Sequence, residues 1–197
     1  MNTNKLKAKD LITIAIFTVV FSLILFVISM TIGMIPVAYP FLMAAASVPG
    51  GIVWAYMRVK VPKRFTILIQ CVVMALLFLI LGVGWFGAVG LLAGGVLAEF
   101  ITSAGGYRRF SMNTVGYAVV AFCIHCGMFL IMLLARDYYY DYCVSNGMTV
   151  EWTEIILNFM SWPVMLLTGV LAIVGAVIGM LLGRAFLKKH FVKAGII

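Results

Sequence analysis

Apolar residues in this chain fall into long, nearly continuous runs, without the alternation of wet and dry faces that marks a soluble helix or strand. The runs cover about 11–34, 41–57, 65–81, 85–104, 110–135 and 154–187. A helix rises about 1.5 Å per residue, so about 20 apolar residues cross the roughly 30 Å hydrocarbon core of a bilayer. The pattern predicts an all-α fold: a six-helix transmembrane bundle formed by residues 1–197 as a single domain. Breakers separate the runs. "PVAYP" at 36–40 ends the first, "RVKVPKR" at 58–64 is a basic loop, "GVG" at 82–84 allows a tight turn, and "GGYRR" at 105–109 ends the fourth. "PGG" at 49–51 predicts a kink inside the second helix. The first run is longer than the core of a cleavable signal and reads as a spanning helix.

Charge orients the pattern. Six spans put both termini on one side. With the N-terminus in the cytoplasm, that side collects Lys5, Lys7, Lys9, Arg58, Lys60, Lys63, Arg64, Arg108, Arg109, Arg184, Lys188, Lys189 and Lys193. Thirteen of the fourteen basic residues are then inside and Arg136 is outside, as the positive-inside rule expects. The net charge of +8 therefore reports topology, with no nucleic-acid partner implied. Composition agrees: a chain that is 65% hydrophobic and 10% charged has too little polar surface for a water-soluble domain of this size. The expected location is a bacterial plasma membrane, multi-pass, with lipid as the surrounding partner. Cys71, Cys123, Cys126 and Cys143 are too few, and too apolar in setting, for a disulfide framework.

Small residues form stripes on three helices. Ala8, Ala15, Ser22 and Ser29 recur every seventh position on the first, with Thr18 on the same face. Gly90, Gly94 and Ala98 on the fourth and Gly175, Gly179 and Gly183 on the sixth recur every fourth. Small side chains let helix backbones approach where lipid supplies no hydrophobic drive. The latter two stripes predict packing within the chain, and the first is the candidate for docking another membrane subunit. Glu99 lies near the inner end of the fourth helix, with Arg108, Arg109 or Arg184 as expected partners. "CIHC" at 123–126 has redox spacing, but its apolar setting disfavours thiolates and makes it structural.

Chemistry concentrates around the fifth helix. His125, Met128, Met132 and Arg136 share one helix face that runs toward the outer surface, a candidate cavity wall. His125 either meets a ligand or hydrogen-bonds a neighbouring helix, and the sequence leaves both open. Arg136 either binds a solute carboxylate or pairs with Asp137 or Asp141. Tyr138, Tyr139, Tyr140 and Tyr142 exceed the needs of an interfacial aromatic belt and suit a lid over a planar ligand, with "SNG" at 145–147 turning the loop back. There is no phosphate-binding GxxxxGK[ST], so any use of ATP belongs to partner subunits. No catalytic residue, resident cofactor or metal site is expected, and the chain reads as a non-enzyme.

The "KLKAKDLITIAIF" start, the "PGG" of the second helix and "GGVLAEFI" of the fourth carry a family resemblance over nearly the whole chain. The chain resembles the membrane proteins first noted in treponemes and streptococci, grouped as the MptD family of S components. S components are the solute-capturing subunits of energy-coupling factor (ECF) importers. The resemblance implies a bundle that binds solute near its outer face under loops 33–40, 82–85 and 137–152, which add Tyr39 and Trp85 to the expected site. It also implies docking on a transmembrane T subunit, with two cytoplasmic ABC ATPases driving uptake. Many S components dock through AxxxA on the first helix; that motif is absent here, and Ala8, Ala15, Thr18 and Ser22 stand in its place. The expected solute is haem, with His125, Tyr139 and Met128 as iron ligands and Arg136 for a propionate, or else a vitamin or similar flat nutrient. Two other classes remain open, a stand-alone secondary transporter and an intramembrane enzyme or assembly protein. The first would show internal pseudo-symmetry, which the halves lack.

Overall fold

The first five long apolar runs each form a helix, and the charged and glycine-rich segments between them gather at two opposite ends. The computed structural model describes residues 5–193, with side chains through Lys189. The helices are α1 (Ala8–Ile32), α2 (Leu42–Lys60) after a 3₁₀ turn at Tyr39–Phe41, α3 (Thr66–Ile80), α4 (Trp85–Ala104) and α5 (Phe110–Leu134). Two short helices follow, α6 (Arg136–Ser145) and α7 (Val150–Phe159), before the long α8 (Trp162–Lys193). Among the described residues five segments are long and apolar enough to cross a membrane: α1, α2 with its preceding turn, α4, α5 and α8. α3, at 15 residues, falls short of that length.

The ends are fixed by contacts. At one end Lys63 pairs with Asp10 at 2.6 Å, Arg184 lies 4.7 Å from the Phe110 ring centre, and Arg58 bonds Asn113 at 2.8 Å. These contacts join the four basic segments. At the other end Trp85 Nε1 donates to Tyr138 at 2.8 Å, and Tyr142 donates to the Gly82 carbonyl at 2.8 Å. α3 runs between these ends, from Phe65 beside Glu99 to Gly82 beneath Tyr142.

Three expectations need correction. The segment expected as a lid loop at 137–152 is a hairpin of two short helices, α6 and α7, turned at Gly147 with φ +86°. The sixth run, expected over 154–187, is split: its first residues belong to α7, and α8 begins at Trp162. Pro163 explains the break, because proline fits the first turn of a helix and clashes inside one. Glu99 does not use the expected arginines: its carboxylate accepts the Phe65 backbone N–H at 2.7 Å, while Arg184 sits over Phe110. In α2 the helix continues through Pro49 to Lys60, so the "PGG" at 49–51 does not interrupt it.

Glycine sets how the core closes. A Cβ at Gly51 would fall 2.8 Å from the Gly179 Cα, and one at Gly179 would strike the Val48 carbonyl. One at Gly183 would lie 2.7 Å from the Ala55 Cβ. α2 and α8 therefore meet backbone to backbone along the stripe read from the sequence. α4 and α5 do the same, with Gly90 against Gly127 and Gly94 against Val120. α1 is seated differently: 22% of its apolar window is buried, against 44–56% in the other four spans. It turns Ile14, Thr18, Phe21 and Leu25 inward and presents Ile12, Ile16, Val19 and Leu23 outward, as a helix bordered by lipid does.

Arg58, 3% exposed, organises the basic end. Its Nε donates to Asn113 Oδ1 at 2.8 Å, its Nη2 to the Tyr107 carbonyl at 2.9 Å and its Nη1 to the Val61 carbonyl at 3.2 Å. One side chain thus ties α2 to the α2–α3 connection, the α4–α5 turn and α5. Phe65 and Tyr107, both at φ 65°, hold left-handed backbone that non-glycine residues rarely adopt. Arg58 holds the Tyr107 carbonyl in place, and Glu99 holds the Phe65 N–H.

Filling the α2–α8 seam should destabilise the fold. Gly179→Leu is expected to cost about 3 kcal/mol, at the upper end of overpacking effects because the obstructing atoms are backbone. Val174→Leu on the outer side of α8, 45% exposed, should change little. Thermal unfolding of both variants in detergent measures the difference.

Candidate functional site

The end opposite the arginine cluster is closed by the α6–α7 hairpin, and aromatic packing holds it down. In α6 the residues one helical turn apart, Tyr139 and Cys143, face the bundle and are 3% and 4% exposed. Tyr139 packs on Phe86 at 5.9 Å between ring centres, and Phe86 meets Tyr142 edge-on at 5.3 Å. Tyr39 lies edge-on to Phe129 at 5.2 Å and to Trp152 at 5.4 Å. α7 is started by Thr149, whose hydroxyl accepts the Trp152 N–H at 3.2 Å, a standard N-cap bond.

Arg136 latches the two short helices together. Its Nη1 donates to the Leu157 carbonyl at 2.6 Å and its Nη2 to Asn158 Oδ1 at 2.7 Å. The expected alternative, an ion pair with Asp137 or Asp141, is not formed. Arg136, Asp137, Tyr140 and Glu154 instead line a shallow polar depression on the outer surface of the hairpin. Tyr138 is 45% exposed and bonds Trp85.

The helix face read as a cavity wall divides. His125 is fully buried, with Nε2 3.0 Å from the Met165 carbonyl and 3.3 Å from Thr168 Oγ1, so it bridges α5 to α8. Its Nδ1 is buried without a partner. Met132, 2% exposed, belongs to the core. Met128 reaches a cavity of about 410 Å³ beneath the hairpin turn, bounded by α1, α2, α3 and α5. Its walls are Leu25, Leu42, Met43, Leu77, Phe78 and Val83, with Met148 from the hairpin at its edge. Its polar groups are Ser22 and Ser29, and the Ser22 hydroxyl is buried with no partner.

The small-residue stripe of α1 divides as well. Ala8 and Ala15 are exposed, nearer the start of the helix. Thr18, 1% exposed, turns inward and bonds the Ile14 carbonyl at 2.8 Å, while Ser22 and Ser29 face the cavity. These five residues therefore do not make one docking surface. The role of Ser22 was hidden because a stripe of small residues reads identically whether it meets a helix or an empty space. Met43, Phe78 and Asn158 carried no sequence signal beyond composition.

Burial pushes the Cys143 thiol up, and the Tyr139 hydroxyl offsets part of that shift. The thiolate is the reactive form, so maleimide labelling of Cys143 should be slow at neutral pH and rise as pH climbs through the raised range. Arg136→Ala releases the latch. In a chain keeping Cys143 as its single cysteine, this change should speed labelling about tenfold or more, the signature of local opening. Equal rates in the two chains would show that the latch does not hold the hairpin.

No curated protein and no solved structure matches the chain significantly. The model of a family described as hypothetical bacterial integral membrane protein (Trep_Strep) matches residues 8–193, from the first residue of α1 to the last of α8. An all-helical chain with several lipid-length apolar helices is what that description calls for, and the protein belongs to this family of bacterial integral membrane proteins.

Proposed function

We propose that the protein is the substrate-binding subunit of an ECF-type importer in the bacterial plasma membrane. In this reading α3 crosses the bilayer with the five longer helices, giving six spans, and the basic end faces the cytoplasm. The α6–α7 hairpin then lies outside as a lid. The observation that carries the reading is the cavity under that hairpin, about 410 Å³ in volume and reaching into the outer half of the bundle. Few-sided apolar pockets with a small number of polar groups are the usual form of a small-molecule site. The chain has no nucleotide-binding motif, so energy comes from two ABC ATPases acting through a T subunit. The lightly buried α1, with Ala8 and Ala15 exposed, is the helix free to meet that subunit.

The lining favours an uncharged, largely apolar solute with a hydrogen-bonding group placed to reach Ser22. No charged side chain lines the cavity. Haem asks more of the site. Of its three candidate iron ligands, Met128 reaches the cavity, while His125 is committed to Met165 and Tyr139 is packed against Phe86. Arg136, the candidate for a propionate, is held by Leu157 and Asn158. Haem binding therefore requires the hairpin to lift and His125 to turn, and a vitamin-sized ring requires neither.

Co-expression with a T subunit and two ABC ATPases should yield a complex that co-purifies through a tag on this chain. A stand-alone transporter or an enzyme would be recovered without them. Native mass spectrometry of the purified chain should show a retained small molecule, and Ser22→Phe, which fills the cavity, should remove it. A haem titration separates the two solute readings: a Soret band that moves on binding and is lost in Met128→Ala selects haem, and an unshifted band excludes it.

A further inference from the structure

A larger cavity lies at the other end of the bundle, remote from the hairpin. It is about 570 Å³ and sits among α2, α5 and α8. Ala55, Met180 and Leu187 form a buried apolar floor, and Phe110 forms part of its wall. Four cations line it: Arg58 and, at the rim, Arg108, Arg184 and Lys188. No acidic residue does.

The charge at this cavity is unbalanced. The described part of the basic end holds two carboxylates, and both are engaged. Asp10 pairs with Lys63 at 2.6 Å, and Glu99 accepts the Phe65 N–H at 2.7 Å. Arg58 is 3% exposed and spends its donors on neutral acceptors, namely Asn113, Val61 and Tyr107. Its hydrogen bonds are satisfied while its charge has no directly bonded counter-ion, a costly state for a buried guanidinium. Arg184 is held 4.7 Å above the Phe110 ring, which fixes its position at the rim. Among the described residues no carboxylate lies within ion-pair distance of Arg108, Arg184 or Lys188.

We propose that this cavity binds the phosphate headgroup of an anionic membrane lipid. An anion between Arg108, Arg184 and Lys188 would meet three exposed cations at once, with the field of Arg58 behind them. Phosphate suits arginine because the guanidinium offers paired donors. The apolar floor distinguishes a lipid from free phosphate, since it gives the glycerol and upper acyl carbons a dry surface to lie on. The cavity is lined from the end of α2, the start of α5 and the later turns of α8, where the apolar runs give way to basic residues, and basic pockets between spanning helices are a recurrent form of lipid site. The site is independent of the solute cavity, so it stands or falls without regard to the importer reading.

The test uses the full chain in neutral detergent, offered equal amounts of phosphatidylglycerol and phosphatidylcholine with matched acyl chains and examined by native mass spectrometry. One phosphatidylglycerol should be retained per chain with a preference of about tenfold or more, given three rim cations near the membrane surface. The exposed triple variant Arg108→Gln, Arg184→Gln, Lys188→Gln should lose that preference while keeping a cooperative unfolding transition in lipid-free detergent. Phosphatidylglycerol should raise the unfolding temperature of the wild type and leave that of the triple variant unchanged. Equal retention of the two lipids by the wild type, or a full preference in the triple variant, would overturn the proposal. Displacement of the lipid by an equal concentration of inorganic phosphate would overturn it too, by assigning the site to a free anion.

Discussion

A guanidinium buried where membrane helices converge must be solvated by protein, and the arrangement around Arg58 meets that requirement. At 3% exposure Arg58 has little access to water, so each donor left unpaired would cost about 1–3 kcal/mol. The acceptors come from three separate places: the α2–α3 connection, the α4–α5 turn and Asn113 of α5. Supplying them fixes where α2 ends and where α5 begins. It also steadies the left-handed backbone of Tyr107. From that anchored end the glycine seams carry α2 along α8 and α4 along α5 with their backbones in contact. The rest of the bundle inherits its spacing from these two constraints.

The two ends contrast in how they are held. At the basic end the bonds are polar, directional and shared among four chain segments. At the hairpin end the principal contacts are aromatic faces and edges, supplemented by Arg136, Tyr142 and Tyr138. Aromatic contacts tolerate sliding and tilting in a way that a saturated guanidinium does not. The hairpin, tied at Arg136 and packed on Phe86 and Tyr39, takes no part in the glycine contacts of the seams beneath it. The cavity lies on the same side of the bundle as the loosely buried α1, away from the α2–α8 contact. Rigidity and access are thus divided between the ends of one structure.

The bundle was legible because lipid imposes a simple code: long apolar runs, separated by charge, glycine and proline. The fourth run has the bounds of α4, and the glycine stripes on α4 and α8 mark seams that exist. The tyrosine segment was not legible as helices. Its polar and aromatic residues lack the apolar run that announces a span, and the N-cap at Thr149 and the start at Pro163 are signals one residue wide. Arg58 looked like one more basic residue in a loop, since burial of a charge depends on acceptors distant in sequence. His125 shows the same difficulty from the other side. It was read on one face with Met128, yet its partner is a backbone carbonyl on α8, and backbone carbonyls leave no mark in a sequence.

The account rests on the hairpin facing out and the arginine cluster facing in. Membrane-impermeant maleimide applied to intact cells decides this directly, using a chain whose four native cysteines are replaced by alanine. One cysteine is then introduced as Asn146→Cys at the exposed hairpin turn or as Arg109→Cys at the exposed basic end. The account predicts labelling of the first in intact cells and of the second after the membrane is permeabilised. Labelling of the second alone in intact cells would invert the molecule and contradict capture of a solute from outside.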